Sequence, residues 1–184
     1  YADGALREGV MYDLLARFRH QDIRDGSVEV LMSRYHIDAR QAARVAETAQ
    51  QLYDQVGISL TLNNDHADLI RRAACLHELG LAISYSGYHR HGAYILQHSD
   101  IAGFSHNDQS RLAVLVGQHR RKLKVDQKEN VMKLGGLPLL YDCLLFRLAV
   151  LLQRDRVDRA LANIKLEIIN SDLWQLSILD TTQS

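Results

Sequence analysis

The chain has 184 residues, enough for one sizeable core, and its hydrophobic and charged fractions of 47% and 24% are ordinary for a globular domain. Lysine plus arginine number 22, as do aspartate plus glutamate, so no net charge attracts the chain to nucleic acid or an anionic membrane. Cys75 and Cys143 lie in apolar runs, which favours buried free thiols and a cytoplasmic location. No apolar run approaches the ~20 residues of a bilayer span. We therefore expect no membrane and no nucleic-acid partner, and any polyanion site must be a local patch.

The first third of the chain has helical periodicity. Apolar spacing predicts a helix from about Ala5 to Arg19, and Asp22 opens a second one. The side chains expected to face inward from the second helix are Ile23, Val30, Leu31 and Tyr35. A third helix has the clearest stripe, at Ala42, Val45, Ala46, Ala49, Leu52, Tyr53 and Val56. Asp38 and Gln41 have the spacing of a capping box at its start.

The helical pattern continues through the middle of the chain. Residues 63–65 offer N-caps for a fourth helix that runs to about His77. A loop around Gly87 leads into a short helix, and Ser105 caps the next one, which carries His119 on its apolar face. Gly135-Gly136 interrupts the helical pattern, and Pro138 suits the first turn of a final apolar helix.

The periodicity changes from helical to alternating after Arg159. Apolar residues alternate at Ile164, Leu166 and Ile168 and again at Trp174, Leu176 and Ile178. This pattern predicts a β-hairpin, with its turn at residues 170–172. An isolated hairpin is marginally stable, and the chain begins without an initiator methionine, so we expect a piece of a longer protein. The predicted fold is an all-α domain over residues 1–158, followed by the hairpin of a partial terminal module over 159–184.

Three histidines follow apolar helix stripes: His77, His91 and His119. A single such histidine is usually a core residue, but three of them, with Glu78 beside His77, favour a shared polar pocket. A helical domain with a His–acidic pair in mid-helix resembles the HD superfamily of metal-dependent phosphohydrolases. That resemblance implies a divalent metal held by an early histidine, a His-Asp pair and a late aspartate, with His91 and His119 at accessory positions.

Two of the ligands implied by this resemblance are replaced. Gln41 stands at the position of the early histidine, and Val150 stands at that of the late aspartate. We therefore expect no bound metal, and the vestigial candidates are His77, Glu78, His91 and His119. The alternative is a metal-dependent HD phosphohydrolase with altered ligands, in which His36 or Asp38 replaces a missing one.

Several segments are more narrowly similar to the exopolyphosphatase and guanosine pentaphosphate phosphohydrolase family. They are residues 4–13, 76–84, 87–94, 103–105 and 118–123, and together they span essentially the whole chain. The resemblance implies an HD-like helical domain that follows two actin-like catalytic domains, which this chain lacks. It implies that the parent enzyme uses Mg²⁺ in those domains to release orthophosphate from inorganic polyphosphate or guanosine pentaphosphate. This chain would then need no cofactor, would be inactive alone, and would contribute to polyphosphate binding and to a homodimer.

Basic clusters support binding of a polyanion independently. The segment 119–124 concentrates positive charge at a helix end, and residues 89–91 lie near a helix start, whose free N–H groups favour anions. Arg147, Arg154 and Arg156 form a third group. A solvated helix end explains the first cluster equally well, and the family resemblance favours binding. The predicted polyphosphate-binding residues are His89, Arg90, His91, His119, Arg120, Arg121 and Lys122. The sequence leaves open whether polyphosphate or guanosine pentaphosphate is preferred.

Overall fold

A computed structural model describes residues 23–157, 164–170 and 173–178 of the chain. Helix α1 is described over residues 23–34. It is followed by α2 (Ala39–Val56), α3 (Asn64–Leu76), a 3₁₀-helix (Leu79–Ala82), α4 (Tyr88–His98), α5 (His106–Gln118), α6 (Val125–Leu152), β1 (Ile164–Asn170) and β2 (Leu173–Ile178). The predicted fold class, a helical domain with a short hairpin, is confirmed. The predicted first helix and the predicted domain boundary at 158/159 lie outside the described residues.

Helix α1 presents a different stripe to the core from the one predicted. Val28 and Leu31 are buried, whereas Ile23 and Val30 are 48% and 59% exposed, so the prediction for the latter two is wrong. Val28 and Leu31 are three residues apart and share one helix face. Val30 is turned by about 100° from Leu31 around the helix axis and therefore points outward.

Helix α2 has the predicted core stripe, and Asp38 is its N-cap. The Asp38 carboxylate accepts hydrogen bonds from the backbone N–H groups of Arg40 and Gln41. The second half of the predicted capping box is wrong, because the Gln41 side chain turns inward and is buried. Its Nε2 donates to the Gln153 carbonyl oxygen at 2.9 Å. The Gln153 carbonyl group lacks a helical partner because α6 ends there. It therefore accepts the hydrogen bond of the Gln41 amide, which we predicted to bond at the N-cap of α2.

The 3₁₀-helix crosses the start of α4 at very close range. A Cβ atom added at Gly80 would lie 2.0 Å from the Tyr88 carbonyl oxygen and 2.5 Å from the Gly92 nitrogen. Backbone atoms of α4 fill the space where a side chain would be, so only glycine allows this approach. The crossing places the His77-Glu78 segment beside the first turn of α4.

Replacing Gly80 by alanine is expected to lower the free energy of unfolding by at least about 1–3 kcal/mol, because backbone atoms have to move apart. The matched control is Gly26→Ala in α1, where an added Cβ meets nothing within 4 Å. The control is expected to raise the free energy of unfolding by up to about 1 kcal/mol. Urea denaturation measures both, and equal midpoints for the two variants would contradict the close crossing.

Helix α6 supplies much of the core and is kinked where the two glycines predicted a break. Gly136 has φ 66° and ψ −158°, and Pro138 lies in the first turn after it. The side chains with 0% exposure include Leu139, Leu145, Phe146 and Ala149. Among the described helices, α6 alone is long and apolar enough to cross a membrane. The expectation that no apolar run approaches the length of a bilayer span is therefore wrong for α6. A buried core helix meets the same test, and the kink divides this one.

The predicted hairpin is confirmed as an antiparallel pair in which Ile164 lies opposite Ile178. It packs on the helical core, since Ile164 and Leu166 are buried in the same cluster as the helix side chains. The side-chain amide of Gln55 in α2 forms hydrogen bonds with the backbone of β1, as the backbone of a neighbouring strand would. Its Nε2 donates to the Ile164 carbonyl oxygen at 3.0 Å, and its Oε1 accepts from the Leu166 N–H at 2.7 Å.

Candidate functional site: an arginine-rich cleft

A cleft of about 1210 Å³ is lined by the 3₁₀ segment, the C-terminal end of α5, helix α6 and β2. Most of the charged side chains that line it are positive. The cationic side chains among the described lining residues are Arg120, Arg121, Lys128, Arg147, Arg154 and Arg156. Glu78 is the one acidic side chain of that lining, so six cations minus one carboxylate leave a formal excess of five positive charges. A chain with no net charge therefore has a strong local positive field in a concave site.

Helix α6 forms the longest wall of the cleft. Most of the lining residues of its second half recur every one, three or four positions, which places them on one face of the helix. They include Leu137, Leu140, Tyr141, Leu144, Arg147, Leu148 and Leu151, and Arg154 lines the cleft two residues beyond the helix end. Trp174 of β2 lies beside this wall, with its ring 5.8 Å from that of Tyr141. The arginines thus project from a largely apolar surface, where their electrostatic interactions are screened less than in water.

Arg147 fixes the segment that carries the first basic cluster. Its guanidinium donates to the carbonyl oxygens of Gln118 and Arg121, which are free because α5 ends there. Arg121 has φ 68°, a left-handed conformation that is uncommon for a side chain of this size. The Arg120 guanidinium lies over the Tyr88 ring, 4.7 Å from its centroid. The Arg120 side chain is therefore held at the cleft by a ring contact, and the Arg121 backbone is held there by the Arg147 guanidinium.

Three buried histidines lie together behind this basic segment. The His119 ring is 5.8 Å from that of His77 and 6.1 Å from that of His89. His77 and His119 each donate an Nδ1 hydrogen to a backbone carbonyl oxygen at 2.6 Å. Burial lowers the pKa of His77 to about 4 and lowers the pKa of His119 well below its ordinary value. Both imidazoles are thus neutral at neutral pH and add no positive charge to the cleft.

The structure divides the seven predicted binding residues into three groups. Arg120 and Arg121 line the cleft, and His119 forms part of its wall. His89 is buried in the histidine cluster. The other three do not line the cleft: Arg90 and Lys122 are exposed elsewhere, and the half-buried His91 has its Nε2 3.2 Å from the Ser86 carbonyl oxygen.

The cleft also contains cations outside the predicted set. Arg147 lies on α6 and Arg154 lies two residues beyond its end, and their seven-residue spacing around an apolar run is a signal that both face the same site. Arg156 follows in the same basic group. Lys128 lies on the opposite side of the kink at Gly136, and no local pattern marks it.

The residues at the position of an HD-type metal do not fit a metal ion. Gln41 uses both ends of its amide, since its Oε1 accepts from the Arg44 Nε at 3.1 Å while its Nε2 donates to Gln153. Glu78 pairs with the guanidinium of Arg156, which also donates to Asp38 at 2.9 Å. Within the described ranges, no group of three or more His, Cys, Asp or Glu side chains is suited to hold a metal.

The fold and the cleft together define a helical domain with a short β-hairpin and a cationic cleft. A family profile described as "Ppx/GppA phosphatase, domain III" matches residues 23–183. The chain therefore belongs to the Ppx/GppA phosphatase family, as its motifs implied.

Two relatives show how much of a longer protein this chain represents. Over 170 residues it is 36% identical to the guanosine-5'-triphosphate,3'-diphosphate pyrophosphatase of Pseudoalteromonas translucida (strain TAC 125). That alignment covers 91% of this chain and 34% of the relative. Over 157 residues it is 36% identical to the protein of the same name in Vibrio cholerae serotype O1 (strain ATCC 39315 / El Tor Inaba N16961), with 84% and 31% covered. The chain thus spans about a third of the length of these relatives.

Proposed function

We propose that this chain is the accessory domain of a larger phosphatase and binds the phosphate chain of inorganic polyphosphate or guanosine pentaphosphate. The observation that carries this proposal is that six cationic side chains and one carboxylate, among the described residues, line a single cleft. Because the chain as a whole has no net charge, this excess is a property of the site and not of the composition.

The cations of the cleft have different tasks under this proposal. Arg120, Arg121 and Arg154 would bind phosphate oxygens directly, because arginine donates charge-assisted hydrogen bonds in a planar fork that matches phosphate. Arg147 acts indirectly, since its guanidinium is engaged with the carbonyl oxygens of Gln118 and Arg121. Lys128, on the first half of α6, would extend the positive surface along a long ligand.

We assign no catalytic residue to this chain. His77 and His119 are buried, neutral and bonded to backbone carbonyls, so their role is to pack behind the cleft. Hydrolysis with Mg²⁺ would belong to catalytic domains outside this chain, and the homodimer and the cytoplasmic location are likewise proposals. The alternative, an HD phosphohydrolase with altered ligands, has less support, because Asp38 already caps α2 and pairs with Arg156.

The test is the salt dependence of binding by the 184-residue chain. Calorimetric titration with inorganic polyphosphate is expected to show that the logarithm of the affinity falls linearly with the logarithm of the salt concentration. Binding releases the counterions of the phosphate chain, and the slope for single-stranded nucleic acid is about −0.7 per phosphate neutralised. Guanosine pentaphosphate is the second titrant and has a shorter phosphate chain, so a shallower slope is expected. Absence of binding to either titrant at low salt would refute the proposal.

A further inference from the structure

The cleft has apolar and aromatic surface that a phosphate chain leaves unused. Leu137 and Leu151 of its wall are 50% and 62% exposed, and the half-buried rings of Tyr141 and Trp174 line the same cleft. Inorganic polyphosphate has charge and oxygen atoms but no apolar or planar part, so it would leave this surface in contact with water. A ligand that covers the surface has an apolar or aromatic group in addition to its phosphates.

Tyr141 and Trp174 form a tilted aromatic pair. Their ring centroids are 5.8 Å apart, and their planes make an angle of 39°. A third ring does not fit between them, because carbon atoms in contact lie about 3.5–4.0 Å apart and a sandwich needs about twice that distance. A planar ligand therefore stacks on the outside of the pair. The larger face of the indole makes Trp174 the main platform, and Tyr141 supports it from the side of α6.

The aromatic pair and the basic segment lie within reach of one nucleotide. Arg147 follows Tyr141 by six residues on α6, a rise of about 9 Å along the helix axis. The Arg147 guanidinium donates to the Arg121 carbonyl oxygen, so the basic segment lies at about that distance along the cleft. In a nucleotide, the ribose separates the base from the phosphates over such a length. A base at the aromatic pair therefore leaves the phosphates at the arginines.

We propose that Trp174, supported by Tyr141, is a stacking platform for the base of a nucleoside polyphosphate whose phosphates lie on the basic segment. This inference rests on the proposed function, because the cations have to bind phosphate, and it names the part of the ligand that the apolar wall takes. Stacking uses the face of a base and not its edge, so the platform accepts adenine as well as guanine. Selection between the two bases belongs to residues outside this pair.

The test compares GTP with inorganic triphosphate, two ligands with the same number of phosphates, on the 184-residue chain. Charge alone favours inorganic triphosphate, since it has two terminal phosphates. Stacking favours GTP, and we expect GTP to bind at least about fivefold more tightly, the lower end of the range for a base on an aromatic side chain. Trp174 is the only tryptophan of the chain, so its fluorescence reports on the platform directly. GTP and ATP should quench this fluorescence equally, and inorganic triphosphate should bind without quenching.

Variants of Trp174 separate stacking from folding, with calorimetric titration as the measurement. Trp174→Ala should weaken GTP binding at least about fivefold and leave binding of inorganic triphosphate unchanged, which a loss of the fold would not do. Trp174→Phe keeps an aromatic face and should retain most of the GTP affinity. Trp174→Leu fills apolar space without a ring and should not, and this pair decides the question if the alanine variant no longer unfolds cooperatively. The matched control is Tyr94→Ala, because Tyr94 is 65% exposed and does not line the cleft. It should bind both ligands as the unmodified chain does.

The outcomes separate failure of this inference from failure of the proposed function. Equal affinities for GTP and inorganic triphosphate, without quenching by GTP, would overturn the stacking platform and leave the proposed function standing. A preference for GTP that Trp174→Leu retains in full would also overturn the platform, because the base would then bind elsewhere. Absence of binding of either ligand at low salt would refute the proposed function and the platform with it.

Discussion

Reversing three charges of the cleft, in the variant Arg120→Glu/Arg121→Glu/Arg154→Glu, is expected to abolish measurable binding of inorganic polyphosphate. Each reversal changes the local charge by two, so the formal excess of five positive charges becomes one negative charge. A hydrogen bond to a charged group contributes about 1.5–3 kcal/mol, and loss of three such bonds lowers affinity by more than about a thousandfold. Calorimetric titration at low salt measures the effect where electrostatic binding is strongest.

The fold should survive this triple substitution. Arg121 and Arg154 are exposed and Arg120 is half-buried, so the expected change in the free energy of unfolding is small. Its main component is the contact between Arg120 and the Tyr88 ring, which contributes about 0.5–1 kcal/mol at a solvent-accessible site. Circular dichroism and a thermal melt can therefore separate lost binding from lost structure.

A control with the same net charge change tests whether the cleft itself is responsible. Arg34→Glu/Arg90→Glu/Lys122→Glu reverses three exposed cations that do not line the cleft. Arg90 and Lys122 were among the residues that the sequence indicated for polyphosphate binding, so this control also tests that prediction. A control that retains most of the affinity would locate binding in the cleft. Equal losses in both triple variants would mean that overall charge, and not this site, governs binding.

The cleft shows which parts of the site could be predicted from sequence. The basic segment at the end of α5 is visible as a run of charges, and Arg147 with Arg154 is visible as a seven-residue spacing at the end of the apolar stretch that forms α6. That these two groups meet depends on how α5 packs against α6, and no local pattern encodes this packing. The bonds from Arg147 to the Gln118 and Arg121 carbonyl oxygens are likewise long-range. Sequence patterns thus identified most of the cations without showing that they share one surface.

The histidines show a second limit of sequence analysis. The sequence did not show which face of the short helix α4 is turned toward the core, and this decides the neighbours of each histidine. His89 and His91 are two residues apart and lie about 200° apart around the axis of α4, so they cannot face the same neighbour. Their roles depend on where the helix begins, and Gly87 with φ 72° places its first residue at Tyr88. His89 then packs against His119, while His91 turns to the Ser86 carbonyl oxygen. The prediction of a shared pocket of His77, His91 and His119 is therefore wrong for His91, and His89 lies in that place.

The largest expected effect on stability concerns a buried carboxylate that the sequence did not distinguish. Asp142 on α6 has 0% exposure in a stretch that otherwise indicates an apolar core. The His66 Nδ1 lies 2.6 Å from its Oδ2, and the Arg111 Nη2 lies 3.9 Å from the same oxygen. The ion group joins α3, α5 and α6. A buried carboxylate is stable in its ionised form only while its charge is compensated by neighbours such as this imidazole and guanidinium.

His66→Ala is expected to lower the free energy of unfolding at neutral pH by about 3–5 kcal/mol, because it removes the closest partner of a buried charge. Burial raises the pKa of Asp142 above its ordinary 3.8, and the hydrogen bond from His66 opposes that rise. The folded chain therefore holds this proton to a higher pH than the unfolded chain does. The resulting stabilisation is complete below the unfolded pKa and is lost as the pH rises through the folded pKa. Removing His66 raises that folded pKa further, so the defect should shrink as the solution is made acidic.

A second substitution separates the charge of Asp142 from the packing of His66. Asp142→Asn removes the charge at nearly constant volume, so His66→Ala/Asp142→Asn should regain much of the stability that His66→Ala loses at neutral pH. Urea denaturation of the unmodified chain and the three variants, at acidic and at neutral pH, closes the double-mutant cycle. Single and double variants that are equally unstable at every pH would assign the loss to the cavity left by the imidazole. Recovery confined to neutral pH would show that an unpaired carboxylate is the cause, because the carboxylate is ionised to a greater extent there than at acidic pH.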